Sequence, residues 1–205
     1  FSVKAGNKKL IVSFLNGDPP KSAKAQVHRF VNEWFDLDTD LKPFYKMASG
    51  DPLLGNLVKK YYGYRILGQP DLFESLIWAV LGQQINLQFA YTLKQRFVQH
   101  FGERLFWGNE SYYLFPTPTL VAELKSEMLL PLQFSRQKSL YTITIAETFA
   151  SGQISRQMLE GLPLTEAKEK LMKIKGVGKF LVNIGSFLKI FRGFFVLSEF
   201  KINFP

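Results

Sequence analysis

The chain has 205 residues, of which 46% are hydrophobic and 15% aromatic, enough for one large or two small cores and too aromatic for a disordered segment. Its formal charge of +9 favours a polyanionic partner. With no cysteine and only two histidines, it cannot build disulfides, thiolate catalysis, iron–sulfur clusters or histidine- and cysteine-based zinc sites. The longest apolar runs, such as residues 76–81, are too short to span a bilayer. Because Phe1 opens the chain, an earlier start is expected, with a removed leader left open.

Residues 8–15 read as a strand, since Leu10, Val12 and Phe14 alternate and Asn16-Gly17 supplies a turn. No partner strand is evident from the pattern. Asp18-Pro19-Pro20 breaks the chain, and a helix is expected from Lys21 with Val27, Phe30, Val31, Trp34 and Phe35 on one face. The acidic run Asp36-Leu37-Asp38-Thr39-Asp40 invites a calcium loop, but the required Gly and Glu positions hold Leu41 and Met47. It reads instead as a solvated helix exit. Residues 53–64 suggest a short helix, and Tyr61-Tyr62-Gly63-Tyr64-Arg65 a half-buried aromatic cluster or a DNA contact. Gln69-Pro70-Asp71 is the boundary between a partial α+β unit, residues 1–68, and a helical domain, residues 69–205.

In that domain Asp71 caps a helix that is apolar nearly all round and therefore central. It stops at Gly82-Gln83-Gln84-Ile85, and Asn86 caps the next helix, which ends at Gly102. Thr117-Pro118 starts a helix that runs to Leu130-Pro131. Ser135 caps another, ending near Gly152, and a short helix covers residues 155–159. Thr165 caps the helix that enters Lys175-Gly176-Val177-Gly178-Lys179, and Leu181, Ile184, Leu188 and Phe191 continue at helical spacing beyond it. The fold is thus mainly α, all helical from residue 71 to 191.

The Gly176-Val177-Gly178 turn is too short for an ordinary loop and sets two helices almost back to back. N–H groups of Gly176, Gly178 and Lys179 suit one backbone phosphate, with Lys173, Lys175 and Lys179 adding charge. The plainer reading is a tight packing turn.

Several ordered motifs carry a resemblance. They are Asp71-Leu72-Phe73-Glu74, the run Ile77-Trp78-Ala79-Val80-Leu81-Gly82-Gln83-Gln84-Ile85, and Phe101-Gly102-Glu103. Phe115-Pro116-Thr117-Pro118, Leu132-Gln133-Phe134-Ser135-Arg136-Gln137-Lys138 and residues 171–178 follow, and Phe35-Asp36-Leu37-Asp38-Thr39-Asp40-Leu41 precedes them. In that order they resemble the helix-hairpin-helix DNA glycosylases, in particular DNA-3-methyladenine glycosylase II. The resemblance implies base excision repair: a bent duplex, a damaged purine flipped into a cleft between helical domains, and a cut glycosidic bond. It implies DNA contacts from Lys175, Gly176, Val177, Gly178 and Lys179, and from the Gln83-Gln84 turn, with Gln84 filling the vacated stack. For Gln83 and Gln84 the plainer role is helix-end capping. It also implies a monovalent cation on the carbonyls of Met172, Lys175 and Val177, and no other cofactor. The implied partner is double-stranded DNA, without a membrane, for a monomer in the bacterial cytoplasm.

The chain then departs from the family. Its Trp position after the hairpin holds Phe180, and its pocket Tyr position holds Ile184. The catalytic aspartate falls about twenty residues past the hairpin, where this chain has Phe200. No Asp follows Asp71, and Glu199 is the one nearby carboxylate, a substitute with a longer arm and an offset. These departures suggest a truncated or frame-shifted end. Three readings compete: an active glycosylase, a DNA-binding protein without catalysis, and a chain whose tail prevents folding.

Overall fold

The computed structural model describes residues 1–178 except Lys8, Asn16 and Ile66, and divides the chain into Phe1–Pro70 and Asp71–Pro205. The expectations for Lys179, Phe180, Ile184, Glu199 and the helix after the hairpin lie outside the described residues. Among the described residues no helix is long and apolar enough to cross a membrane.

In the first unit, β1 (Ser2–Gly6) pairs antiparallel with β2 (Lys9–Ser13), Val3 facing Val12. The strand expected over 8–15 therefore has the partner that its pattern did not reveal. Ser2-Val3-Lys4-Ala5 carries one β-branched residue and too little alternation to stand out. Helix α1 (Lys21–Trp34) begins where Pro19 and Pro20 end the extended backbone. Of its apolar face only Val31 is buried. Phe30 keeps an edge-on contact with Phe1 on one side and Trp34 on the other.

The acidic run is a helix exit held by its own short side chains. Asp36 accepts from the Thr39 hydroxyl at 2.7 Å and Asp38 from the Asn32 amide at 3.2 Å. Asp40 accepts from the Lys42 N–H and so starts α2 (Lys42–Ala48), a helix missing from the sequence reading. Asp51 does the same for α3 (Leu54–Lys60), accepting from Leu53 and Leu54. The tyrosine cluster is tied into this unit: Tyr62 stacks on Tyr45 at 4.6 Å, and the Tyr45 hydroxyl accepts from the Gly63 N–H. Arg65 donates to the carbonyls of Asp36 and Thr39.

The second unit is built on α4 (Leu72–Leu81), in which every residue except Glu74 is buried. Asp71 caps it, accepting from the Glu74 N–H at 2.8 Å, while the Glu74 carboxylate pairs with Lys94 at 2.8 Å. Helices α5 (Leu87–Phe101) and α8 (Arg136–Ala150) pack on α4, and α6 (Pro118–Ala122) and α7 (Ser126–Leu129) pack on α8. A 3₁₀ turn (Leu130–Leu132) joins α7 to α8, and α9 (Arg156–Glu160) and α10 (Leu164–Met172) complete the array. Leu76, Ile77, Val80 and Leu81 of α4 form one core with Leu93, Phe97, Val121, Leu129, Ile145 and Ala146. Each Leu, Ile, Val or Phe among them contributes about 1.5–3 kcal/mol by leaving water. Phe97 adds ring contacts to Phe101, Phe115 and Phe134.

Three details differ from the sequence reading. A hairpin, β3 (Arg104–Trp107) and β4 (Glu110–Tyr113), interrupts the expected all-helical stretch. Its two-residue loop is Gly108-Asn109, with Gly108 at φ 62°, a hairpin signal hidden among aromatics. The helix from Pro118 ends at Ala122, because Lys125 turns extended and α7 starts afresh. Helix α10 begins at Leu164 behind Pro163, whose ring fixes φ at the entry, so Thr165 lies inside the helix and does not cap it.

Gly102 ends α5 where two chain segments meet. A Cβ there would lie 2.1 Å from the Leu114 carbonyl oxygen and 2.4 Å from that of Val98. Neither backbone group can swing away as a side chain would. Gly102→Ala is expected to cost about 3 kcal/mol, the upper end for overpacking, read as a lowered urea midpoint with an unchanged slope.

Candidate nucleic-acid interface

Leu81 is the last residue of α4, and the connection to α5 spans only Gly82 to Asn86. Asn86 caps α5, accepting from the Phe89 N–H at 2.8 Å. Between them Gln84 is exposed and sits at φ 56°, in the left-handed region. That conformation costs a non-glycine residue about 1–2 kcal/mol, so the surroundings must hold it.

Lys138 supplies part of that hold. The Ser135 hydroxyl accepts from the Lys138 N–H at 3.2 Å, which fixes Lys138 in the first turn of α8. Its ammonium then donates to three carbonyls of the α4 end: Val80 at 3.1 Å, Leu81, and Gln83 at 2.8 Å. A cation on the last carbonyls of a helix also opposes the dipole there. Burial pushes this ammonium down to about 8, so it remains charged at neutral pH.

The glycine hairpin closes the other side. After α10, the N–H groups of Lys173, Ile174 and Val177 bond to carbonyls three residues back, which tightens the chain into a compact turn. Ile174 and Val177 are buried in the core and act as two pegs, leaving Lys173, Lys175 and Gly178 exposed. With its side chain buried and its N–H bonded to Ile174, Val177 offers the surface only its carbonyl. Among the described residues, the N–H groups of Gly176 and Gly178 have no protein acceptor.

The two glycines stand in different surroundings. Gly176 has φ 99°, and a Cβ there would lie 2.5 Å from the Tyr141 ring. Gly178 has nothing within 4 Å of its Cβ position among the described residues. The first glycine is set by packing, and the second leaves backbone open to whatever approaches.

The turn and the hairpin meet. Gln83 Nε2 donates to the Gly176 carbonyl at 3.2 Å, across 93 positions of sequence. Around this bond lies a cleft of about 400 Å³ lined by Gln83, Gln84, Gln137, Tyr141, Lys175 and Gly178 among others. Gln137 donates to the Tyr141 hydroxyl at 2.6 Å along its edge. Of the residues singled out in the sequence, Gln83, Gln84, Met172, Lys175, Gly176, Val177 and Gly178 all line this one cleft. Lys138 and Tyr141 had no assigned role in the sequence. The available signal was Lys138 and Tyr141 standing seven and four residues before the buried Ile145, at the edge of the face that α8 turns to the core.

Residues 77–195 match the HhH-GPD superfamily of base excision DNA repair proteins, and residues 1–76 match the N-terminal domain of 8-oxoguanine DNA glycosylase. A DNA-3-methyladenine glycosylase from Bacillus subtilis (strain 168) is 45% identical over 179 residues, covering 86% of this chain and 59% of that protein. The structure of 3-methyladenine DNA-glycosylase from Archaeoglobus fulgidus aligns with a TM-score of 0.71 at 25% identity, over 87% of this chain and 59% of that one. MBOgg1 in complex with a low-affinity DNA ligand aligns with a TM-score of 0.70 at 25% identity, over 86% and 58%. The chain therefore spans less than two thirds of the length of these relatives.

Alanine separates the glycines. Gly176→Ala, strained at φ 99° and pressed on Tyr141, is expected to lower the thermal midpoint by several degrees, whereas Gly178→Ala leaves it within about a degree. Equal shifts in calorimetry would contradict this division. Lys138 has a pH signature as well. The unfolded chain holds its proton up to the ordinary lysine range and the folded chain releases it near 8. Between these values the unfolded state binds more protons, so this group makes stability rise with pH. Urea midpoints measured from pH 8 to 10 should show that rise in the wild type and lack it in Lys138→Met.

Proposed function

Because the chain belongs to the HhH-GPD superfamily of base excision DNA repair proteins, we propose that it is a DNA glycosylase that flips alkylated purines of the 3-methyladenine type out of double-stranded DNA and releases them. The observation that carries this reading is the bond from Gln83 to Gly176, which joins an exposed, strained turn to an anion-receptive hairpin in one cleft. The names of the Bacillus and Archaeoglobus relatives support the substrate class, and the DNA complex of MBOgg1 supports the partner.

In this reading the N–H groups of Gly176 and Gly178 receive a backbone phosphate, with Lys173, Lys175 and Lys179 adding charge. Among the described residues nothing stands within 4 Å of the Gly178 Cβ position, which allows the phosphate close to the main chain. The carbonyls of Met172, Lys175 and Val177 accept no hydrogen bond from the described residues, which fits a monovalent cation beneath that phosphate. Such an ion would add positive charge where the backbone is gripped. Gln84 enters the stack as the base leaves it, offsetting part of the few kcal/mol that unstacking costs.

An alkylated purine is already cationic and departs without much acid assistance. By the family's pattern Phe180 and Ile184 hold pocket positions; Phe180 keeps an aromatic face to attract the positive ring, and Ile184 lacks one. Charge then builds on the sugar, and a carboxylate opposes it. In this reading Glu199 stands in for the family's aspartate as a weak substitute with a longer arm and an offset, its plainer role being a surface residue. The protein works as a monomer in the bacterial cytoplasm.

Methylated duplex DNA tests the whole reading. The expected result is enzyme-dependent release of 3-methyladenine, lost in Glu199→Gln, with binding that weakens in salt at a log–log slope of roughly −2 to −3. Binding with that slope and no release at any protein concentration would reduce the chain to a DNA-binding module.

A further inference from the structure

The turn that carries Gln84 is tied down at three places. Asn86 caps the helix after it, Gln83 reaches the hairpin carbonyl, and Lys138 gathers the carbonyls before it. Asn86 acts after Gln84, while Gln83 and Lys138 act before it. Only the third joins the end of α4 to the turn residue Gln83 through a single group. All three of the ammonium's donors point at carbonyls of its own chain, so none is left for a phosphate. Removal of Lys138 would take the cation from these carbonyls and leave them water from the cleft as a weaker partner. The connection would rotate to find other donors, and the left-handed conformation at Gln84 is what such a rotation relieves.

We propose that Lys138 is a positioning residue for base flipping: it locks the 82–86 turn so that the Gln84 side chain stands ready to enter the DNA stack. This rests on the reading of Gln84 as the inserted residue. Lys138 touches neither the base nor the sugar. It acts through the main chain of the turn, and its loss separates duplex binding, which the hairpin provides, from unstacking, which the turn provides.

The test uses a duplex with 2-aminopurine beside an abasic-site analogue, whose fluorescence rises when stacking is lost. Lys138→Met is expected to bind undamaged duplex with the wild-type salt slope while the fluorescence rise falls about fivefold. Lys138→Arg, which restores a cation with several donors, should recover a large part of the signal. Lys125→Met, an exposed lysine outside the cleft, should leave it unchanged. Combining Lys138→Met with Gln84→Ala should lower the signal no further than Gln84→Ala alone, since both act through one side chain. Should Lys138→Met melt below the assay temperature, Lys138→Gln, which keeps an amide donor, carries the same comparison.

Wild-type unstacking that Lys138→Met matches would overturn the proposal and leave the glycosylase reading intact. A shallower salt slope in Lys138→Met, with binding and unstacking reduced together, would also overturn it, making Lys138 a phosphate ligand. A wild-type chain that binds duplex without unstacking it would remove both.

Discussion

The last carbonyl groups of a buried helix need partners outside the helix, and that constraint shapes the second unit. Helix α4 meets it with one amine from α8, which bonds the carbonyls of Val80, Leu81 and Gln83. The amine is in place because the Ser135 hydroxyl fixes where α8 begins. Apolar burial thus creates an electrostatic need, a helix cap delivers the cation that answers it, and the answer determines the path of the α4–α5 connection. The cleft is a by-product of finishing a core helix properly.

The hairpin divides its labour residue by residue. Ile174 and Val177 face the core, and Lys173, Lys175 and Gly178 face out. Tyr141 lies directly beneath Gly176 and leaves no room for a side chain. The ring makes the turn stiff as well as tight, because backbone at φ 99° cannot slide over it without meeting the phenol. An anion site built on such a turn is preorganised, so little ordering remains to be done when a phosphate arrives.

Much of this was legible in the sequence where the physics is local. Asp71, Asn86, Thr117 and Ser135 each accept the N–H three residues on, as their position before a helical pattern foretold, and Ser155, not singled out as a cap, does the same. The ordered motifs gave the family, and matching residues 77–195 bears it out. Where the signal is weak or the contact distant, the reading failed. The β3–β4 hairpin was hidden because its aromatics suit either a strand or a helix. Helix α2 was missed because its start rests on one aspartate inside a run already read as acidic surface. Lys138 reaches its acceptors across 55 to 58 positions, and Tyr141 reaches Gly176 through space, so no spacing rule announces either contact.

The bond from Gln83 to Gly176 joins segments 93 positions apart, and that distance sets an order of assembly. On a ribosome adding about 5–20 residues per second, α4 and α5 emerge on the order of ten seconds before the hairpin that completes their cleft. Lys138 arrives midway and can settle the end of α4 before the hairpin exists. The nascent chain therefore passes through a stage with a finished core helix and half a cleft. Its grip on any anion waits for the hairpin to dock, so a polyanion in the cell meets a basic chain before it meets a binding site. The long-range bond makes recognition a product of completed folding and separates it in time from simple charge attraction.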